Sequence, residues 1–311
     1  MQFFNYFHQG QASLGAYIND KHYALSDWIF DHENLIIHSI DDLLQADQAK
    51  TLIDRLRPLT GQDLPTLEGD FDFLPAVLEP EKILCVGLNY QDHIDEVDRS
   101  DAREEPTIFS KFNNALAAAG QKIPFPSYGS QLDYEAELVA IVGEEIKDIR
   151  AKDFRTDMIF AYTAGNDLSL RDRQFASSQW LVGKTGDGFA PVGPYVSLSD
   201  QLDPQQLAIS CQVNGQTVQT ASTQQMIFSI PEIVSYLSRH MTLKPGDLIF
   251  TGTPDGVIAG KKAEDRVWLQ PGDQVCVTIE GIGRLENTIA WASPSFALVW
   301  QRLSGRWRLP Q

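Results

Sequence analysis

The chain has 311 residues, of which 43% are hydrophobic and 22% charged, a composition typical of folded globular proteins and not of disordered ones. Its 25 basic and 42 acidic residues give a net charge of −17, which argues against nucleic acid or an anionic membrane surface as its main partner. No run of about 18 apolar residues and no signal-peptide pattern is present, so we expect a cytoplasmic protein.

The first 75 residues are predicted to form a small α/β domain, followed by a second domain over residues 76–311. The segments SLGAYIND and KHYALSDWI predict a short antiparallel pair that turns at Asn19 and Asp20. Apolar spacing in DDLLQADQAKTLIDRLRPL predicts a helix that Pro58 ends. The proline- and acid-rich segment GQDLPTLEGDFDFLPAVLEPE is interpreted as a connector.

The second domain is predicted to consist mainly of short strands. Asn214-Gly215 in QVNGQTV is a strong hairpin signal, and Pro-Gly-Asp turns precede the strands of KPGDLIFTG and QPGDQVCVTI. One helix is predicted from a capping box, in which Ser229 precedes Glu232 by three residues. No repeat, Rossmann or P-loop glycine pattern occurs, which leaves a nucleotide site without sequence support.

The three cysteines are predicted to fill the core. Cys85, Cys211 and Cys276 are far apart, and each lies in an apolar, strand-like segment. Neither a disulfide framework nor a CxxC metal site is indicated.

Acidic residues interrupt an otherwise apolar strand in SQLDYEAELVAIVG. Glu135 and Glu137 alternate, so they point to the same face about 6–7 Å apart along the strand. A divalent cation would relieve their repulsion, although solvated acids at a strand end are the alternative for an isolated pair. Asp167 follows the strand-like residues 159–164, at a loop that could return to the pair; it could equally cap the next helix.

Two further segments carry candidate catalytic groups. In KILCVGLNYQDHIDEV, a helical turn after a strand would place Glu96 where it can orient His93 as a general base, with an exposed ion pair as the alternative. In WLVGKTGDGFAPVGPYV, Lys184 lies between glycines, where a short stiff strand could present it to an anion. A solvated loop lysine is the alternative.

Several motifs, in this order, resemble the fumarylacetoacetate hydrolase family. They cover about residues 80–290 and are GLNYQDHIDE, TIFSKFNNAL, SQLDYEAELVAIVG, AYTAGNDLSLRDRQ, GKTGDGFAPVGP, VNGQTVQTASTQQMIFSIPEIVSYLS and LKPGDLIFTGTPDGV. The resemblance is strongest to the branch that acts on short acylpyruvates and oxaloacetate. It implies an α+β, mainly β fold, with a mixed β-sandwich or roll preceded by a small N-terminal α/β domain.

The resemblance also implies a site. Its metal ligands fall on Glu135, Glu137 and Asp167, with Mg²⁺ or Mn²⁺ as the cofactor. The remaining roles are a base dyad, a catalytic lysine and three substrate contacts, which fall on His93 and Glu96, on Lys184, and on Arg171, Gln174 and Thr253. One departure is Phe112, where many relatives have proline, and it leaves substrate contacts near Lys111 open.

The implied reaction is cleavage of a C–C bond in an acylpyruvate-type 2,4-dioxo acid, with pyruvate enolate as the departing group. Decarboxylation of oxaloacetate gives the same enolate, and isomerisation or hydration of unsaturated 2-oxo diacids could use the same chelation. A non-enzymatic 2-oxo-acid-binding protein is the remaining alternative. The expected partners are a small 2-oxo acid and a second copy of the chain, and no nucleic acid or membrane.

Overall fold

The computed structural model describes residues 1–96 and 104–291 and the strands at 301–303 and 306–308; of residues 94–96 and these two strands it describes the backbone only. The fold is α+β and mainly β, as predicted. Within residues 1–75 the elements are β1 (Gln2–His8), β2 (Gln11–Ile18), β3 (Lys21–Ala24), α1 (Leu25–Glu33), α2 (Ile40–Gln45), α3 (Ala49–Leu56) and β4 (Asp72–Phe73).

The elements that follow are mostly strands. The described strands are β5 (Ile83–Gly87), β6 (Thr107–Lys111), β7 (Leu116–Ala117), β8 (Lys122–Phe125), β9 (Leu132–Asp133), β10 (Ala136–Val142), β11 (Ile159–Asn166), β12 (Ser169–Leu170), β13 (Ala190–Pro191), β14 (Ser197–Leu198), β15 (Ala208–Val213), β16 (Gln216–Ser222), β17 (Leu248–Phe250), β18 (Gln274–Ile279), β19 (Gly283–Trp291), β20 (Gln301–Leu303) and β21 (Arg306–Arg308). The described α-helices are α4 (Gln91–Glu96), α5 (Arg171–Gln174), α6 (Leu181–Lys184) and α7 (Ile230–His240).

The N-terminal residues form a four-stranded sheet in the order β3-β2-β1-β4. The predicted hairpin is confirmed, since β2 pairs with β3 and both Asn19 and Asp20 have positive φ. The second strand is shorter than predicted because α1 begins at Leu25. Leu25 and Ile29 lie one helical turn apart, and both are completely buried.

The predicted single helix before Pro58 is two helices. α2 ends where Ala46 adopts an extended conformation, and α3 begins at Ala49 and ends at Leu56. The interpretation of the next segment as a connector was incomplete, because β4 lies within it and pairs with β1. Whether the chain divides into domains at residue 75 stays a prediction.

Two larger sheets form a sandwich. Their strand orders are β14-β11-β10-β17-β5-β6 and β16-β15-β18-β19-β8. Strands β10 and β11 contact β15 and β18 across the two sheets, and all residues of β10 and β11 are buried. The continuous apolar runs of these two strands therefore reflect burial on both faces.

The strongest local signals of the sequence are confirmed. Asn214 and Gly215, both at positive φ, join β15 to β16. Helix α7 begins after Ser229, whose N–H and hydroxyl both donate to Glu232 Oε2, so the capping box is present. The three cysteines are free and buried, as predicted. Among the described residues, no helix combines the length and apolarity needed to cross a bilayer.

Strand register brings distant segments to one edge of the central sheet. Ala136 at the start of β10 pairs with Asn166 at the end of β11, so the residues flanking both strands meet there. β17 pairs with β10 and runs parallel to β5, so the loops that follow β17 and β5 reach the same edge. This edge carries the candidate site.

Candidate active site

Three buried carboxylates converge at the edge of the central sheet. One oxygen from each of Glu135, Glu137 and Asp167 lies within 4.8 Å of the others. The backbone explains the convergence, because Asp167 N donates to Glu135 O at 2.9 Å across the β10–β11 pair. All three residues are at most 5% exposed, so solvated acids at a strand end do not describe them.

Asp167 does not cap a helix. Helix α5 follows Leu170, and no side chain caps its N-terminus. The loop instead returns Asp167 to the glutamates, which is the other possibility that the sequence left open.

Lys184 connects two of the three acids. Its Nζ donates to Glu135 Oε2 at 2.5 Å and to Asp167 Oδ2 at 2.8 Å, and the residue is 2% exposed. The predicted short strand is wrong, since Lys184 ends helix α6. The glycine before it has a packing reason: a Cβ on Gly183 would lie 2.3 Å from Gln174 N, so only glycine lets α6 approach α5 this closely.

A second lysine, which was not predicted as a site residue, reaches the same cluster. Lys111 Nζ lies 2.5 Å from Asp167 Oδ1 and donates to the carbonyls of Leu168, Lys184 and Phe189. The motif TIFSKF contains this lysine, but nothing local to the motif shows which acid it would meet. The neighbouring Phe112, noted above as a departure, is 55% exposed.

Arg171 is held by carboxylates on two sides. Its Nε donates to Asp133 Oδ2 at 2.8 Å, its Nη2 lies 2.7 Å from Glu135 Oε1, and its Nη1 donates to Gln174 Oε1 at 2.8 Å. Asp133 also accepts the N–H groups of Ile258 and Ala259 at 2.9 Å. Asp133 was missed as a site residue, although its alternation with Glu135 and Glu137 is visible in the sequence.

The acids differ in their electrostatic surroundings. Burial would raise the pKa of Glu135, but Lys184 and Arg171 together lower it below its usual range. Burial and the negative charges of Asp167 and Glu135 raise the pKa of Glu137 well above its usual range. Burial opposes the charge on Lys184, yet Asp167 and Glu135 raise its pKa, so this ammonium keeps its proton.

The donor set fits a hard divalent cation. Carboxylate oxygens are the ligands that Mg²⁺ and Mn²⁺ prefer, and three of them converge here. Glu137 accepts a hydrogen bond from the N–H of Gly252 at 2.7 Å. Its raised pKa means that its surroundings disfavour the ionised carboxylate, and a nearby divalent ion would stabilise that ionised form. Gly252 has φ +100, and a Cβ there would lie 2.7 Å from the Asn89 Cβ, so glycine is required at this contact.

A cavity beside the acids is lined by both polar and apolar residues. Its polar lining residues besides Glu135 are His93, Glu137, Arg171, Gln174, Lys184 and Thr253. Its apolar lining residues are Val86, Leu88, Phe109, Phe175, Trp180 and Ala259. Lys184 Nζ lies 4.8 Å from the Phe109 ring centroid, and Trp180 meets the same ring edge to face. The structure therefore brings all three predicted substrate contacts to one cavity.

His93 lies on α4, the helix predicted after β5, and is 6% exposed at the cavity. An exposed ion pair therefore does not describe it. The side chain of Glu96 lies outside the described residues, so the base dyad stays a prediction. Residues 177–181 border the cavity through Trp180.

Comparisons with known proteins show the family of the chain. The model of the family "Fumarylacetoacetate (FAA) hydrolase C-terminal" matches residues 82–290. A fumarylacetoacetate hydrolase domain-containing protein 2 homolog of Dictyostelium discoideum is 43% identical over 227 residues, which cover 70% of this chain and 73% of that protein. The mitochondrial oxaloacetate tautomerase FAHD2A of Bos taurus is 37% identical, with 78% and 77% covered.

The fold is also that of a solved relative. The fumarylacetoacetate hydrolase of the psychrophile Exiguobacterium antarcticum superposes with a TM-score of 0.80 at 31% identity, covering 94% of this chain and 100% of that one. Residues 82–290, which the family model matches, include every candidate site residue named above. The chain is therefore an enzyme of the fumarylacetoacetate hydrolase family.

Proposed function

We propose that this chain is a divalent-cation-dependent enzyme that interconverts the keto and enol forms of a short 2-oxo diacid such as oxaloacetate. The observation that carries the proposal is the buried trio of Glu135, Glu137 and Asp167 beside a cavity lined by cationic side chains. Mg²⁺ or Mn²⁺ is the proposed cofactor. The oxaloacetate tautomerase among the relatives supports the substrate.

The charges of the site suit an anionic substrate only when a cation is present. Four buried carboxylates face three cationic groups, which are Asp133, Glu135, Glu137 and Asp167 against Lys111, Lys184 and Arg171. When all four carboxylates are ionised, one negative charge is left over, and it would repel a substrate carboxylate. A divalent cation reverses the sign to one positive charge, and low exposure strengthens its effect on a bound anion.

When bound, the cation would polarise the 2-keto group and acidify the neighbouring C3–H. His93 is the proposed base, which takes the C3 proton and passes it to the C2 oxygen as the enol forms, and carries it back to C3 as the keto form returns. Such a role is worth about 10²- to 10⁴-fold in typical enzymes. Lys184, which keeps its proton, would donate a hydrogen bond to the oxygen that gains charge. Arg171, Gln174 and Thr253 would hold the substrate carboxylates, and the aromatic side chains that line the cavity would exclude water.

The test follows the loss of enol oxaloacetate by ultraviolet absorbance. Protein treated with chelator should lose the acceleration, and Mg²⁺ or Mn²⁺ should restore it. Free metal ions also catalyse this step, so Glu137→Gln protein in the same buffer is the control. Acceleration that persists in chelator would contradict the proposal.

Hydrolysis of an acylpyruvate is the second candidate. The observation that favours it is that His93 lines the same cavity as the contacting rings of Phe109 and Trp180, which suit an apolar acyl group. Hydrolysis needs an activated water, whereas loss of carbon dioxide from oxaloacetate needs only the cation and Lys184. His93→Ala should therefore suppress pyruvate release from acylpyruvates far more than decarboxylation. Equal losses would contradict a water-activating histidine.

A further inference from the structure

Gln219 contacts the site without lining the cavity. It lies on β16 and is 2% exposed. Cys211 pairs with Gln219 and Gln212 with Thr217, so Val218 is an extra residue in the strand. Such a bulge redirects the side chains beside it, and the Gln219 amide points to the turn that follows β17.

The orientation of the Gln219 amide is fixed by backbone groups. Its Oε1 accepts the N–H of Ala136 at 3.0 Å, and its Nε2 donates to Pro254 O at 2.9 Å. A backbone N–H can only donate and a carbonyl can only accept, so the reversed amide would place two like groups together at each end. Nε2 therefore also faces Thr253 Oγ1, at 2.9 Å, as a donor.

This contact determines the direction of the Thr253 hydroxyl. Because Oγ1 accepts a hydrogen bond from Gln219, the hydroxyl's own proton must point elsewhere, and Thr253 lines the cavity. Ala136, at the other end of the amide, lies between Glu135 and Glu137. One side chain thus connects the strand of the acidic trio to the turn that carries the hydroxyl.

We propose that Gln219 is a positioning residue, which holds the Thr253 hydroxyl as a hydrogen-bond donor towards an anionic oxygen of the substrate. The proposal rests on the proposed function for the identity of the ligand, a 2-oxo acid. It adds a residue that touches no substrate and acts through Thr253.

Gln219→Glu tests the direction of the hydroxyl. A carboxylate can still accept the Ala136 N–H, but its second oxygen would accept from Thr253 and turn the hydroxyl proton away from the cavity. The probe is oxalate, a planar dianion that resembles a 2-oxo-acid enolate, titrated calorimetrically into protein with stoichiometric Mg²⁺. Thr253→Val should weaken oxalate binding about fivefold to tenfold, the worth of one hydrogen bond, and Gln219→Glu should do the same.

The double variant separates positioning from general damage. Once the hydroxyl is absent its direction has no effect, so Gln219→Glu combined with Thr253→Val should bind oxalate within about twofold of Thr253→Val alone. Thr253→Ser, which keeps the hydroxyl, should bind within about twofold of wild type. Losses that multiply in the double variant, or wild-type affinity in Gln219→Glu, would overturn the proposal.

Two further measurements keep the test independent of folding and of the reaction. Gln219→Met removes the donor but adds no charge; if Gln219→Glu does not fold, Gln219→Met must show the same coupling to Thr253→Val. Mn²⁺ affinity, measured by electron paramagnetic resonance, should be unchanged in all variants, and a parallel loss of Mn²⁺ binding would overturn the assignment. A wild-type protein that binds oxalate but converts no 2-oxo acid would refute the proposed function and leave the coupling result standing.

Discussion

Phe4 of β1 and Glu137 of β10 are both almost completely buried, at 0% and 2% exposed, but their surroundings differ. Phe4 contacts a cluster of rings formed by Tyr6, His22, Phe71, Phe73 and Tyr195. Glu137 lies beside two other acids and accepts one backbone N–H. Burial of a ring stabilises the fold, whereas burial of adjacent acids destabilises it unless a cation or proton compensates. The N-terminal sheet is thus expected to contribute stability, and the edge of the central sheet to contribute chemistry.

The largest effect is expected at the acidic trio. Glu137→Gln removes one charged ligand and should lower kcat/KM for a 2-oxo acid by about 10³- to 10⁴-fold, since a bound cation supplies several kcal/mol of transition-state stabilisation. The variant should fold at least as stably as wild type, because a buried acid with a raised pKa is replaced by a neutral amide. Glu145→Gln, at an exposed position beyond the end of the same strand, is the matched control and should leave activity unchanged. Activity retained in Glu137→Gln would contradict its role as a ligand.

The opposite result is expected in the aromatic cluster. Phe4→Ala should lower the free energy of unfolding by about 3–5 kcal/mol, because it leaves a cavity among packed rings. The folded fraction should keep its kcat/KM and its Mn²⁺ affinity. Urea denaturation measures the first quantity and steady-state assays the second. A large fall in kcat/KM of the folded protein would show that the N-terminal sheet contributes to the chemistry.

A smaller effect on the reaction is expected at Lys184. Lys184→Met should lower kcat by about 10²- to 10³-fold, the usual cost of removing a donor to a developing negative charge. Mn²⁺ should bind no more weakly than to wild type, because the acids lose a competing positive charge. Lys152→Met, at an exposed position, is the control. Weakened Mn²⁺ binding in Lys184→Met would show that the lysine orders the acids and would contradict a role limited to the substrate.

The smallest effect concerns an acid outside the site. Burial raises the pKa of Asp41 from 3.8 to about 6, although the N–H groups of Leu78 and Glu79 oppose the shift. The native state therefore binds this proton more tightly than the unfolded state. The stability that Asp41 contributes is present below pH 4 and is lost as the pH rises through about 6.

Asp41→Asn tests this dependence. The difference in unfolding free energy between wild type and Asp41→Asn should change by about 1–2 kcal/mol between pH 4.5 and 7, with wild type relatively more stable at the acidic end. Urea denaturation at the two pH values measures it, and Asp47→Asn, on an exposed turn, is the control. A difference that does not vary with pH would contradict the raised pKa.

The sequence predicted those features that depend on neighbouring residues. The turn at Asn214-Gly215 and the capping box at Ser229 are local devices, and both are confirmed. The alternation of Glu135 and Glu137 likewise indicated a shared face. The start of α1 was missed because the spacing of Leu25 and Ile29 fits a strand as well as a helix. Their burial in the folded protein favours the helix.

The partners within the site could not be predicted in the same way. Lys111 meets Asp167 across 56 positions of sequence, and Gln219 meets Thr253 across 34. Such contacts depend on strand register and on a bulge, which no local pattern specifies. Judged from its own segment alone, Lys184 resembles a solvated loop lysine. Its burial follows from the close packing of α6 on α5.

The central claim is that Glu135, Glu137 and Asp167 hold one divalent cation. Crystals grown with Mn²⁺ and measured at the manganese absorption edge test it most directly. We predict one anomalous peak per chain, within bonding distance of an oxygen from each of the three carboxylates, and its loss in Glu137→Gln. Wild-type crystals with no peak among these carboxylates would contradict the account.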